Sequence, residues 1–378
     1  MRTKLFILST LLAALTLSTS FSAGTVKEND RRSQLRKENA KQEGYAPGYG
    51  VESYQLMKGY NAPGRINVAD GWGFFAGANA LYVHPYQEGM QLAEKVELLN
   101  ARYRTIGIVK QSFGWDPAFK LKLGWAMRRD QWSIYTEYFH FHSSNSTKAS
   151  ADPLNWERLT MSTLFGATID QSQNVSIAHY GVSLKSKWKL DMDFVDLNLT
   201  RPFYNGEKLI LKPMVGLRAA WITQKLTGSW IYYYTNVTLP ASAKSGAFGI
   251  GPKFSLDGKW IWGRGFSMLG DVTASILHTH YKVSKNTNTY VEGNTNPVDS
   301  YHVRDKVDYL RPALETELGV SWGRYVSDRD WHVDVALTYI FNVYWNQNMI
   351  SNYFNMLSNT GASDLYLHGL NLALRFDF

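Results

Sequence analysis

The feature that most restricts this chain is an alternation of apolar and polar side chains with a period of two, which recurs from residue 72 onward in segments of about ten residues. In the clearest segment the apolar parity is occupied by Phe119, Leu121, Leu123, Trp125 and Met127. Lys120 and Lys122 take the other parity. Because successive side chains of a strand point to opposite faces, the pattern predicts antiparallel strands with one apolar and one polar face.

The first residues have the features of a cleaved export signal. Arg2 and Lys4 precede an apolar run from Leu5 to Leu17, and small residues follow up to Ala23. This run is too short to cross a bilayer as a helix, and no later apolar stretch reaches about 18 residues. We therefore divide the chain into a signal peptide (1–23), a polar periplasmic leader (24–70) and a β domain (71–378). For the leader we expect a solvated segment, with a helix that plugs a barrel or touches peptidoglycan as the alternative.

Export combined with two-faced strands predicts a closed transmembrane barrel. Lipid offers no hydrogen bonds, so strands cross a membrane only in a ring without edges. Short connections near 128–131, 204–208, 261–265 and 323–330 alternate with long ones near 84–113, 142–180, 223–246, 282–306 and 346–364. We count about ten strands, with short periplasmic turns and long extracellular loops. Twelve is the alternative, if the segments at 103–109 and 230–237 also pair.

Aromatic residues near the predicted strand ends favour the same architecture over a soluble sandwich, since membrane barrels carry aromatic girdles at both interfaces. The tryptophans concerned are Trp72, Trp125, Trp132, Trp188, Trp221, Trp260, Trp322, Trp331 and Trp345. One strand departs from simple alternation. Its apolar parity changes near Val195, and we interpret this change as a β-bulge.

The last strand ends on a terminal aromatic residue, with apolar side chains at each second position before it. These positions are Leu370, Leu372, Leu374, Phe376 and Phe378. The pattern resembles the signature read by the barrel assembly machinery of Gram-negative bacteria. We therefore expect residence in the outer membrane and recognition by that machinery.

Several blocks of sequence resemble one known family, the Legionella-type major outer membrane proteins, which are pore-forming barrels with relatives in environmental chlamydiae. The blocks lie at 73–85, 188–204, 211–221, 248–252, 311–322, 344–347 and 369–378, and include Val195-Asp196-Leu197 and Gly216-Leu217-Arg218. The resemblance implies an abundant pore at the cell surface. The disulfide cross-linking known from major proteins of this type has no counterpart here, because the chain has no cysteine.

The predicted inward face carries charges of both signs in nearly equal number. The basic residues are Lys120, Lys122, Lys189, Lys212, Arg218, Lys253, Lys259, Arg311 and Arg375, and the acidic ones are Glu137, Asp191, Asp193, Asp196, Asp257, Asp271, Glu315, Glu317, Asp334 and Asp377. A water-filled lumen with this lining would be a weakly selective pore for ions and small hydrophilic solutes. The same charges could instead pair and close a narrow barrel.

Other kinds of function find less support in the sequence. The chain has no cysteine for thiol chemistry and no spaced serine–histidine motif, so we expect no enzyme and no cofactor. His140 with His142, and His278 with His280, could form pairs at the outer rim, but no third metal ligand is evident and we expect no metal. The net charge of +8 is too small to indicate nucleic-acid binding.

The long predicted loops suggest a second class of function. They are rich in Ser, Thr, Asn and Gly, which suits an exposed surface. A surface adhesin, or a structural barrel that acts through these loops, is therefore the alternative to a pore. We expect contacts with outer-membrane lipid and lipopolysaccharide, while a homo-oligomer and a host surface ligand stay open.

Overall fold

The computed structural model describes Gly64 and residues 66–68, 71–99, 102–127, 131–152, 157–161, 180–232, 238–289, 299–327, 330–350 and 362–378. The proposed signal peptide and most of the leader lie outside the described residues. None of the described segments forms a helix of the length and hydropathy needed to cross a bilayer.

Nearly all described residues belong to β-strands. In chain order the strands are β1 (Phe74–Gln87), β2 (Gln91–Leu99), β3 (Arg102–Lys110), β4 (Asp116–Ala126), β5 (Ser133–Ser150), β6 (Glu157–Met161), β7 (Tyr180–Thr200), β8 (Phe203–Asn205), β9 (Leu209–Tyr232), β10 (Thr238–Gly263), β11 (Phe266–Thr289), β12 (Asp299–Val326), β13 (Trp331–Asn348) and β14 (Ser363–Asp377).

Ten of these strands form a closed antiparallel ring. The order around it is β1, β4, β5, β7, β9, β10, β11, β12, β13 and β14, and β14 pairs again with β1. Starting at Leu81 on β1, the residue paired in register can be traced from strand to strand around the ring. The trace through β4, β5 and β7 reaches β9 at Ile222, whereas the trace through β14 to β10 reaches β9 at Ile210. The ring therefore closes with a stagger of 12 residues. Such a stagger requires the strands to tilt. The prediction of ten strands is confirmed.

The twelve-strand alternative is wrong. Residues 103–109 lie in β3, which pairs with β2 in a hairpin outside the ring. Residues 230–232 simply extend β9. β2 also pairs with the short β6, whose residues Leu159 and Thr160 pair with the start of β7. The strands β2, β3 and β6 therefore form a small sheet that is attached to the first residues of β7.

The two ends of the ring differ in their connections. At one end, here called the turn end, short connections join β4 to β5, β7 to β9, β10 to β11 and β12 to β13. Arg264 and Gly265 form a two-residue hairpin turn with positive φ angles of 53° and 86°, as a type I′ turn requires. The other end, the loop end, carries the longer connections. The loops predicted at 223–246 and 282–306 are mostly strand, because β9 to β12 continue through them.

The outer surface near the turn end is an apolar band. On β14, Leu370, Leu372 and Leu374 are 49%, 52% and 51% exposed. The segment from Leu370 to Phe378 is nine residues long, which is within the nine to eleven that a tilted strand needs to cross a bilayer. Of the predicted girdle tryptophans, Trp72, Trp125, Trp260, Trp322 and Trp331 are exposed. Trp188 is not a girdle residue, because it is fully buried inside the ring.

The ring has two halves of opposite polarity. In the turn-end half of β9, Leu217 faces outward and is 57% exposed, while Arg218 faces inward and is buried. In the loop-end half of the same strand the apolar Leu226 is buried inside and Lys225 is exposed outside. The turn-end half is therefore built for lipid outside, and the loop-end half for water outside.

This inversion corrects the bulge predicted near Val195. The pairing of β7 with β5 and with β9 runs without a register shift through that position. The strand keeps its parity, and only the polarity of its two faces changes. Trp188, Leu190 and Met192 therefore face the barrel interior rather than lipid.

The assignment of faces can be tested by placing the same charge on neighbouring residues of β14. Leu372 lies in the apolar band and Ala373 lines the lumen. Leu372→Lys should lower the free energy of unfolding in lipid vesicles by about 2–4 kcal/mol, because an ammonium group would face hydrocarbon. Ala373→Lys should cost less than about 1 kcal/mol, since its ammonium group would enter a polar cavity. Equal losses in urea titrations of the two variants would contradict the assigned faces.

Candidate functional site in the barrel lumen

A polar cavity of about 230 Å³ occupies the turn-end half of the lumen. We call it the polar chamber. Its charged lining comes from eight strands and comprises Lys120, Lys122, Glu137, Lys212, Lys253, Asp257, Lys259, Asp271, Glu315, Glu317, Asp334 and Arg375. Asn79, Ser255 and Thr273 add neutral polar groups, which sequence reasoning did not single out.

Most residues predicted to line a pore do face the lumen. Ten of them line the polar chamber: Lys120, Lys122, Glu137, Lys212, Lys253, Asp271, Glu315, Glu317, Asp334 and Arg375. Arg218 and Arg311 line a smaller cavity of about 20 Å³ closer to the loop end. The predicted assembly residues Leu370, Leu372, Leu374, Phe376 and Phe378 have the outward parity of β14.

The predicted inward orientation of Lys189, Asp191 and Asp193 is wrong. Lys189 is exposed on the outer face of β7. The Asp191 and Asp193 carboxylates accept contacts from His142 Nδ1 at 2.6 Å and His140 Nδ1 at 2.8 Å, both on the outer face of β5. The physical reason is the polarity inversion, which places polar side chains outside in this half of the barrel.

A buried cluster of four charges lies at the loop-end side of the polar chamber, and two of its members, Lys253 and Glu315, line the chamber. Arg218 donates from Nε and Nη2 to the two carboxylate oxygens of Asp196, each at 2.8 Å. Its Nη2 also donates to Glu315 Oε2 at 3.1 Å, and Lys253 Nζ donates to Asp196 at 2.7 Å. Tyr344 donates its hydroxyl to Glu315 at 3.0 Å. Two cations and two anions cancel here, which offsets the large cost of burying each charge alone.

Nearer the turn end, further charges pair across the chamber wall. Lys122 Nζ lies 3.1 Å from Glu137 Oε2, and Lys259 Nζ lies 2.5 Å from Asp334 Oδ2. Among the described residues, Lys120 and Lys212 form no ion pair with a carboxylate. These two ammonium groups therefore remain available to attract anions or repel cations in the chamber.

The loop-end half of the lumen is filled by one apolar core. Every strand of the ring contributes to it, and its fully buried members include Phe141, Trp188, Leu226, Tyr281 and Leu365. Met349 and Ile350, which follow β13, are also fully buried in this core. The connection between β13 and β14 thus sends two apolar side chains into the loop-end mouth. Sequence reasoning missed them, although apolar residues in an otherwise polar connection were a visible signal.

Arg311 is buried beside the apolar core. Its guanidinium Cζ lies 4.4 Å from the Tyr309 ring centroid and 5.3 Å from that of Tyr281. Nε donates to the Tyr281 hydroxyl at 3.2 Å, and Nη2 lies 3.0 Å from Met349 Sδ. Arg311 therefore holds Met349 in the mouth through side-chain contacts with the barrel wall.

Part of the predicted leader crosses the turn-end mouth. Gly64 donates its backbone N–H to the Pro202 carbonyl at 3.3 Å, next to β8. The Asn67 backbone N–H donates to the Tyr325 hydroxyl on β12 at 3.2 Å, and Ile66 lines the polar chamber. We call Gly64 and residues 66–68 the strap. The chamber therefore lies between the strap and the apolar core.

The rim histidines do not form a metal site in the described residues, where no three His, Asp or Glu side chains are grouped suitably for an ion. His140 and His142 contact Asp193 and Asp191, as described above. His280 Nδ1 lies 2.8 Å from Asp308 Oδ1.

Comparison with known proteins identifies the family. Residues 67–378 match the family model described as "Legionella pneumophila major outer membrane protein precursor". No curated protein matches the chain.

Solved structures show only distant similarity. The Pseudomonas putida toluene transporter TodX is 7% identical with a TM-score of 0.24, and covers 82% of this chain and 89% of its own. A Pseudomonas aeruginosa FadL homologue is 8% identical with a TM-score of 0.24, covering 82% and 90%. The transport unit of the Escherichia coli autotransporter AIDA-I is 8% identical with a TM-score of 0.27, covering 91% and 98%.

Similarity at this level adds nothing to the family match, which begins within the strap at residue 67 and spans the whole ring. That match agrees with an apolar band of membrane-crossing length around a closed ring of ten strands. The chain therefore belongs to the Legionella major outer membrane protein family and is a β-barrel of the outer membrane.

Proposed function

We propose that this protein is a gated channel that admits ions and small hydrophilic solutes across the outer membrane. The observation that carries the proposal is the polar chamber of about 230 Å³, lined by charges of both signs in the half of the barrel that lipid surrounds. A barrel that only anchored loops would gain nothing from free ammonium groups in such a chamber. No catalytic role is included in the proposal.

The gate proposed for this channel is the loop-end apolar core. Narrow apolar constrictions exclude water and ions until their side chains move apart. Met349 and Ile350 come from a connection rather than from the wall of the barrel, so they can move without breaking the ring. In our proposal the turn end faces the periplasm, where the strap lies across the second mouth.

A structural barrel that acts through its loops is the second candidate. It is favoured by one observation, the continuity of the apolar core across the loop-end mouth. The two candidates differ in whether the refolded protein conducts.

Single-channel recording in planar bilayers tests the gate directly. Replacing Met349 and Ile350 together by Ser should increase the frequency or size of conductance steps relative to the unaltered mature protein, because a polar constriction stays wet. The matched control replaces Ile106 and Ile108 by Ser, since these apolar side chains are 47% and 52% exposed on β3, outside the ring. The control should conduct like the unaltered protein. Silence of every protein, with folding verified by heat-modifiable migration, would contradict the channel and favour the structural candidate.

Ion selectivity tests the role of the unpaired lysines in the chamber. Replacing Lys120 and Lys212 together by Gln should shift the reversal potential in a salt gradient toward cation preference, because two unpaired positive charges leave the lumen. Replacing Arg104 and Lys110 by Gln also removes two positive charges, but these residues are exposed on β3, outside the ring. This control should leave the reversal potential unchanged. If both double variants gave the same reversal potential, the chamber would not be the conducting path.

A further inference from the structure

Nine exposed basic side chains cover part of the outer face of the barrel in its loop-end half. They are Lys148 on β5, Lys185, Lys187 and Lys189 on β7, Lys225 on β9, Lys244 on β10, Lys282 on β11, and Arg304 and Lys306 on β12. We call them the basic belt. They extend over six neighbouring strands of the ring.

Several members of the basic belt lie directly opposite one another. Lys189 pairs in register with Lys225, and Lys225 pairs with Lys244. Lys148 is opposite Lys185, and Lys282 is opposite Lys306. Like charges in such positions repel and destabilise a sheet. Among the described residues no member of the belt forms an ion pair that would relieve this repulsion.

The acidic groups on the same face are held by other partners. Asp191 and Asp193 contact His142 and His140, and Tyr138 donates its hydroxyl to Asp193 at 2.8 Å. Asp308 contacts His280. All three carboxylates lie on the membrane side of the neighbouring lysines along their own strands. Within the described residues the charge of the belt therefore stays unbalanced, and anions from outside the protein would balance it.

The height of the belt indicates where those anions are. On β9 the aromatic Trp221 lies on the outer face, and Lys225 follows four residues later. On β12 Leu310 is 67% exposed, and Lys306 is again four residues away. Four residues of strand span about 13 Å before tilt is considered. The belt thus begins at the level of lipid headgroups, directly above the apolar band.

In the described part of the chain, the other side of the barrel has no such surface. There β13, β14, β1 and β4 present aromatic and histidine side chains at this height, including a stacked pair of Tyr82 and Trp115 with ring centroids 5.4 Å apart. His84 and His368 lie nearby, with ring centroids 5.2 Å apart. The basic charge is therefore confined to one side, as expected for bound molecules rather than for a general attraction to the membrane.

We propose that the basic belt is a binding site for lipopolysaccharide of the outer leaflet, in which phosphate groups lie between the opposed lysines Lys189, Lys225 and Lys244. A phosphate bound between two ammonium groups replaces their repulsion with two charge-assisted hydrogen bonds. The acyl chains of the same molecule would lie on the apolar band below. This proposal does not depend on conduction by the lumen.

Titration of purified lipopolysaccharide into the refolded mature protein tests the site. Replacing Lys189, Lys225 and Lys244 together by Gln should weaken binding by about 100-fold, since each basic group near an anionic lipid surface contributes roughly fivefold. Replacing the same three residues by Arg should retain the affinity. The charge-matched control replaces Lys208, Arg264 and Arg324, which are exposed at the turn end, by Gln. Its affinity should stay within about twofold of the unaltered protein, because these positions are remote from the belt.

Three further measurements make the result specific. The unaltered protein should bind lipopolysaccharide that has been enzymatically dephosphorylated about as weakly as the triple Gln variant binds the intact lipid. Lys225→Gln alone, should the triple variant fail to fold, is expected to lose about fivefold. Undiminished affinity of the Gln variants, or equal binding of the dephosphorylated lipid, would overturn the proposal. So would tighter binding of soluble heparin than of lipopolysaccharide, because the belt would then serve a soluble polyanion.

Discussion

Each long strand of this barrel passes through two solvents, and the rest of the structure depends on that constraint. Near the turn end the wall faces hydrocarbon, so Leu217 and Leu372 point outward and the charges point inward. Near the loop end the wall faces water, so the apolar side chains turn inward and lysines cover one side of the outer face. Ring closure satisfies the backbone in both solvents, and the side chains reverse without any change of register.

The polar chamber and the apolar core are two consequences of this reversal. In the turn-end half the apolar side chains face lipid, so the side chains that face the lumen there are polar. Their charges have to cancel locally, and the cluster of Arg218, Lys253, Asp196 and Glu315 does so at the boundary between the halves. In the loop-end half the barrel packs like a soluble β-barrel with a filled interior. In the channel that we propose, a solute crosses the polar chamber and the apolar core, and the gate lies in the apolar core.

Period-two alternation was sufficient to predict the closed ring, the ten strands and the lumen-facing positions of the lower half, including Lys120, Glu137 and Arg375. It was insufficient to predict the outward orientation of Lys189, Asp191 and Asp193, because alternation identifies two faces of a strand but not whether each face meets lipid, water or the lumen. The apparent change of parity near Val195 was a change of solvent, which a local pattern reads as a bulge. The strap and the insertion of Met349 and Ile350 depend on contacts far apart in sequence, which alternation does not contain.

The same reversal explains why charge appears on the outside at all. In a barrel that ended at the lipid surface, outward lysines would occupy only the rim. Here the strands β9 to β12 are 24 to 28 residues long, more than twice the nine to eleven that span a bilayer. The extra length carries outward positions past the headgroups, and no ion pair among the described residues requires those positions to be basic. Directly opposed lysines on three adjacent strands cost stability in water alone, so their placement is accounted for by an anionic layer at that height.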